Sequence, residues 1–205
     1  MGKREASGPE RRTIIAGAGM RIIARDGLRA LTHRAVDSEA GLAQGSSSYY
    51  VPTRSALIEL IVRALAERSI AESEEAARSV RSSLGSASGL TVDDFATAIA
   101  GLVETFASRA VEMRTRYALL LELDRSDPLH ALLSSRSPVQ QQSVSVVGEA
   151  LVGLGVEDAS ARAAELLALA EALLAHRVVA GDTSSPVTPV VASYLRGVVR
   201  ARGQE

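Results

Sequence analysis

Residues 31–50 read LTHRAVDSEAGLAQGSSSYY, and the folding of this stretch decides the architecture. Thr32 can cap a helix running through Val36 to Ala40. Gly41 supplies the backbone conformation that side chains resist at the turn ending it. Leu42 follows at once, and a third, short helix can run from about Ala43 to Tyr50. Val36, Ala40 and Leu42 are spaced to pack inward. Two helices joined by a tight glycine turn have the spacing of a helix-turn-helix, which an ordinary helical hairpin in a bundle shares.

The flanks extend the helical pattern. Upstream, Ile14, Ile15, Ala18, Ile22 and Ile23 recur at helical spacing and Asp26-Gly27 is a stop. Downstream, Pro52 holds Val51 extended and Thr53 can cap a long fourth helix carrying Leu57, Leu60, Ile61, Ala64 and Leu65, as far as about Val80. The segment SSLGSASGL, residues 82–90, reads as a linker. Val92 to Ser108 places Phe95, Ile99, Leu102, Val103 and Phe106 on one face. Met113, Tyr117, Leu120 and Leu121 do the same for the next helix, ended by Asp127-Pro128. Leu129 to Leu154 reads as one helix kinked near Pro138, and Asp158–Ala180 and Val190–Arg202 complete about nine. No strand pattern competes, so the expected class is all-α. The expected organisation is a flexible arm at 1–10, a helix-turn-helix domain at 11–52 and a ligand-binding and dimerisation domain at 53–205.

Composition fits this reading. Of 205 residues 46% are apolar but only 3% aromatic, so the core must come from Leu, Ala, Val and Ile. The absence of cysteine removes disulfides, thiolate zinc sites and thiol nucleophiles, and fits a reducing, cytoplasmic setting. No apolar run is long enough for a membrane span, and the polar start reads as neither a secretory signal nor a lipidation site. The net charge of −1 hides a division. Residues 1–63 hold ten basic and six acidic side chains, or +4, and the remainder thirteen and eighteen, or −5. A polyanion partner therefore belongs at the N-terminal end.

Catalytic signals are missing. His33, His130 and His176 are far apart, the elbow-like Gly85-Ser86-Ala87-Ser88-Gly89 has alanine at its centre, and no phosphate-cradling loop or dinucleotide fingerprint occurs. No enzyme, metal or cofactor is expected.

The stretch Arg11 to Leu65 resembles the DNA-binding domain of the tetracycline-repressor (TetR) family of bacterial transcriptional regulators. The features that carry the resemblance are Arg25-Asp26-Gly27, Leu31-Thr32, Ala40-Gly41-Leu42, Gly45 and Tyr49-Tyr50, in family order. Arg116-Tyr117, Leu119, Leu121, Glu122 and Asp127-Pro128-Leu129 look like its sixth and seventh helices. Where many members have Leu-Tyr or Leu-Trp, two variable residues and Phe, this chain has Ser47-Ser48-Tyr49-Tyr50-Val51, and Arg54 stands in place of the usual lysine.

Side-chain chemistry nominates the DNA contacts. Thr32 at the second helix start, and Arg54 just after Thr53, can meet phosphates. Tyr49 and Tyr50 can reach phosphate oxygens, or one ring, more naturally Tyr50, can anchor the third helix. Gln44 can pair with adenine, and Ser46, Ser47 or Ser48 can touch bases, with Gly45 allowing close approach. His33 and Arg34 can serve phosphates or flanking bases, or stand as solvated surface.

The resemblance implies a homodimer on a palindromic double-stranded DNA operator, usually repressed, and a small-molecule effector in the C-terminal part that moves the fourth helix. Leu166, Ala170, Leu173, Val190, Val191, Tyr194 and Val198 are the expected dimer face. Phe95, Phe106, Met113 and Tyr117 are nominated as pocket walls, with Glu122, Gln141 and His176 as polar contacts; Phe95, Phe106 and Met113 can equally be plain core.

Overall fold

The computed structural model describes residues 8–85, 89–134, 136–181 and 186–200. Among them it is all-helical, with α1 Gly8–Asp26, a 3-10 turn Leu28–Ala30, α2 His33–Glu39, α3 Ser46–Tyr50, α4 Arg54–Leu84, α5 Val92–Ser108, α6 Ala110–Glu122, α7 Pro128–Leu133, α8 Pro138–Gly153, α9 Ala159–Ala180 and α10 Val187–Arg200. No described helix is long and apolar enough to cross a membrane.

Caps explain the boundaries. The Thr32 hydroxyl accepts from the Ala35 amide at 3.1 Å and the Thr53 hydroxyl from Ala56 at 3.1 Å, opening α2 and α4. At the start of α5, Thr91 and Asp94 cap one another's backbone amides.

Several boundaries differ from the sequence reading, among them the start of the last helix, which is Val187 rather than Val190. α1 begins at Gly8 with Pro9 in its first turn, so residues 8–10 of the expected arm are helical; residues 1–7 lie outside the described part. α3 starts at Ser46 rather than about Ala43. The helix read across 129–154 is two, because each proline opens a helix instead of bending one: Asp127 caps Pro128–Leu133 and Ser137 caps Pro138–Gly153. α4 runs on to Leu84, so the linker expected at 82–90 begins as helix; residues 86–88 of it, and the last residues expected in the final helix, lie outside the described part.

The chain packs as two compact units. The first contains the described residues up to Arg68 together with Val111–Arg136. The second contains Ser69–Ala110 and the described residues from Ser137 onward. α4 contributes its first half to one and its second half to the other. In the first unit, Ile15, Ile22 and Ile23 of α1, Leu31, Val36, Leu57 and Ile61 of α4, and Leu119 of α6 form a continuous core. In the second, α9 packs on α8 and α5, and α10 on α5 and α9. Phe95, fully enclosed, is the largest side chain in that core. The expected cut at 52/53 falls inside the first unit.

Candidate nucleic-acid interface

The turn between α2 and α3 has Gly41 at φ 64°, in the left-handed region where a Cβ is strained. α3 is only five residues long, and α2 holds it by polar contacts. Asp37, enclosed on α2, accepts the Gly45 amide on Oδ2 at 2.7 Å and the Ser47 amide on Oδ1 at 2.8 Å. The Ser47 hydroxyl lies 3.2 Å from the His33 carbonyl. His33 Nε2–H donates to the Val51 carbonyl at 2.6 Å, since a carbonyl oxygen can only accept. Arg12 donates to the Tyr50 carbonyl at 3.3 Å. Burial works against the charged Asp37 carboxylate. The hydrogen bonds from Ser47 and Gly45, with His33 nearby, overcome that cost and hold the carboxyl below the usual aspartate range.

Two expected DNA contacts are thereby engaged inside the chain. The His33 ring is tied to Val51, which leaves its neighbour Arg34 as the exposed basic residue of α2. Arg54 donates to the carbonyls of Leu28 at 2.7 Å and Leu31 at 3.3 Å, fastening the 3-10 turn to the start of α4. Ser47 is fully buried and cannot reach a base.

The remaining candidates form a surface. Gln44 and Gly45 are exposed, Ser46 and Ser48 are half-buried, and Tyr49 is 82% exposed. The Ser48 hydroxyl donates to the Gly45 carbonyl at 2.8 Å. Tyr49 stands edge-on to Tyr50, with ring centroids 5.1 Å apart. Tyr50 packs against the core of the first unit and is the anchoring ring. Thr32 is exposed, and its oxygen caps α2; the same hydroxyl keeps one proton to donate. Asp37 was not a sequence candidate: its partners lie eight and ten residues away, and no local motif marks them.

The family model for the tetracycline repressor-like C-terminal domain matches residues 90–201, more than half of the chain. The chain belongs to the tetracycline repressor-like (TetR) family. That is a family of transcriptional regulators and not of enzymes. No protein of curated function matches the chain in sequence. Among solved structures, a transcriptional regulator from Rhodococcus sp. superposes with a TM-score of 0.70 at 19% identity, over 93% of this chain and 96% of that one. A TetR-family transcriptional regulator from Streptomyces coelicolor gives 0.64 at 17% identity, over 93% and 94%. The multidrug binding protein EbrR, complexed with imidazole, gives 0.56 at 21% identity, over 93% and 90%. At these identities the likeness is one of fold.

The residues nominated for an effector in this TetR-family chain divide between the two units. Met113, Tyr117 and Glu122 belong to the first, and Phe95, Phe106, Gln141 and His176 to the second. Met113 and Phe95 are core. Glu122 is exposed at the end of α6, its carboxylate close to Gly27, and Gln141 and His176 are exposed. The Phe106 ring is half-buried with the Arg109 guanidinium 5.0 Å from its centroid, and Arg109 pairs with Glu72 at 2.6 Å. Apolar spacing alone does not tell a cavity wall from a core.

The expected dimer face divides as well. Leu166 and Val191 are fully enclosed by their own chain and serve its core, so they have no surface to offer a partner. Val190 is exposed, and Ala170, Leu173, Tyr194 and Val198 are half-buried. The Tyr194 hydroxyl donates to Glu165 at 2.8 Å, joining α10 to α9.

Proposed function

We propose that the chain is a DNA-binding transcriptional regulator that reads a palindromic operator as a homodimer, with α3 as the reading helix. The observation that supports this best is the two-sidedness of α3. Its inner side, Ser47 and Tyr50, is fixed to the first unit, while Gln44, Ser46, Ser48 and Tyr49 present short polar groups and one ring outward. Small side chains allow close approach to the groove floor, where Gln44 can pair with adenine. Arg34, Thr32 and Tyr49 are the proposed phosphate contacts. His33 and Arg54 act indirectly, by holding the backbone around α3.

Residues 53–205 are the proposed dimerisation and effector-binding part, with α9 and α10 of two subunits forming a four-helix bundle through Ala170, Leu173, Val190, Tyr194 and Val198. Two reading helices must meet major grooves about 34 Å apart or a multiple of it, which makes the dimer part of the function. A small-molecule effector that releases the operator is the proposed mode of control, with repression as the resting action in the cytoplasm. The solved structure of EbrR, described as multidrug binding, supports a small-molecule site in this fold.

Selection of bound duplexes from a random double-stranded library, at moderate salt, tests the proposal. Enrichment of a palindromic sequence is the expected result. Binding that never enriches a sequence leaves a nonspecific DNA-binding protein, and no binding leaves a helical interaction module. Sedimentation at micromolar concentration checks the dimer; a 21.5 kDa monomer alone would overturn it.

A further inference from the structure

An isolated helix of five residues has no stability of its own, because nucleation costs more than its few bonds return. α3 must be held from outside, and its inner face offers little apolar surface for that. Ser47 is the fully buried residue of α3, and it is polar. Tyr50 is its one apolar anchor, packed partly against the core. The rest of the hold is hydrogen bonding to main-chain atoms, in which Asp37 makes two short charge-assisted contacts, the stronger kind.

The geometry of those contacts matters as much as their strength. A single acceptor would let α3 pivot. The two oxygens of Asp37 take amides two residues apart, Gly45 at 2.7 Å and Ser47 at 2.8 Å, and so fix rotation as well as position. α2 is itself a firm base: Val36 is fully enclosed in the core, and Glu39 pairs with Arg21 at 2.7 Å and Arg25 at 3.2 Å on α1.

We infer that Asp37 is the positioning residue of the reading helix, setting the orientation of Ser46–Tyr50 through the Gly45 and Ser47 amides. This rests on α3 being the DNA-reading helix. Asp37 touches no DNA; it decides how Gln44, Ser46, Ser48 and Tyr49 are presented. Sequence-selective binding therefore depends on it, and the phosphate attraction of the basic first third does not.

The test uses the full chain with Asp37→Asn, Asp37→Ala and Ser47→Ala. Amide hydrogen exchange is followed at residues 45–51 and in α1 and α4, and binding is compared between the duplex selected by the unmodified protein and a random-sequence duplex at the same salt. Both Asp37 variants are expected to speed exchange at Gly45 and Ser47 by about tenfold or more, with α1 and α4 unchanged. Affinity for the selected duplex is expected to fall by a similar factor while that for the random duplex holds. Ser47→Ala keeps both amide bonds and most of the selective affinity. Unchanged exchange at residues 45–51 in Asp37→Ala, equal weakening on both duplexes, or acceleration spread through α1 and α4 overturns the inference. If the unmodified protein selects no duplex, the proposed function fails, and the exchange data alone still decide whether Asp37 holds α3.

Discussion

The Thr115 hydroxyl lies 2.9 Å from the carbonyl oxygen of Met20, 95 residues earlier in the chain, and 2.8 Å from that of Val111 in its own helix. One proton serves two acceptors, and Thr115 is fully buried where α6 meets α1. This contact is part of why α6 belongs to the same unit as the helix-turn-helix. Thr115→Val keeps the shape and removes the hydroxyl. A loss of about 1 kcal/mol is expected, read as a lower urea midpoint at unchanged slope.

Gly19 of α1 lies against Ile61 of α4. A Cβ built there meets Ile61 Cδ1 at 2.4 Å and Leu31 Cδ1 at 3.4 Å, all within the packed core. Gly19→Ala should destabilise the chain by about 1–3 kcal/mol despite the better helix propensity of alanine. Ile61→Val deletes the obstructing methyl. The double variant is therefore expected to be more stable than the two single losses added together, as a double-mutant cycle in urea would show.

Asp37 predicts an acid response confined to α3. Its folded-state pKa is lowered, so its contribution is complete above the unfolded aspartate value of about 3.9 and is lost as the pH falls through the folded value. Protection of the Gly45 and Ser47 amides should hold from neutrality down to about pH 5 and decline below about pH 4. Asp37→Asn should remove that step from the exchange profile.

Tyr194 predicts an alkaline response in the second unit. Burial and the hydrogen bond to Glu165 push its phenol up to about 12. Its neutral form is favoured by folding, so the stability it lends is present below the unfolded value of about 10 and is lost as the pH rises through about 12. Ultraviolet titration should show a late tyrosine step that Tyr194→Phe abolishes. That variant should also lose about 1 kcal/mol at neutral pH.

The sequence made the helices readable where local chemistry sets them. Val92–Ser108 and the Thr32 and Thr53 caps needed only hydroxyls, glycines and apolar spacing. Pro128 was read as ending a helix and Pro138 as kinking one, because proline can end, bend or begin a helix, and only the caps at Asp127 and Ser137 decide among these. The outward residues of α3 were legible from its position after the Gly41 turn. The inward duties of His33, Asp37 and Arg54 were not, because each is set by a distant backbone atom. Helical spacing places Phe95 on an inward face, which is core, but spacing alone does not separate a pocket wall from core.

The hydrogen bonds that side chains of α1 and α2 make to α3 and its flanks share one property. Asp37 grips the amides of Gly45 and Ser47, His33 the carbonyl of Val51, and Arg12 the carbonyl of Tyr50. All of these are main-chain atoms, which every residue except proline supplies alike. Ser46, Ser48 and Tyr49 can therefore be exchanged without loosening the clamp. The outward surface of α3 is free to drift by mutation while its mount stays constant, so that a change of its side chains costs the fold little.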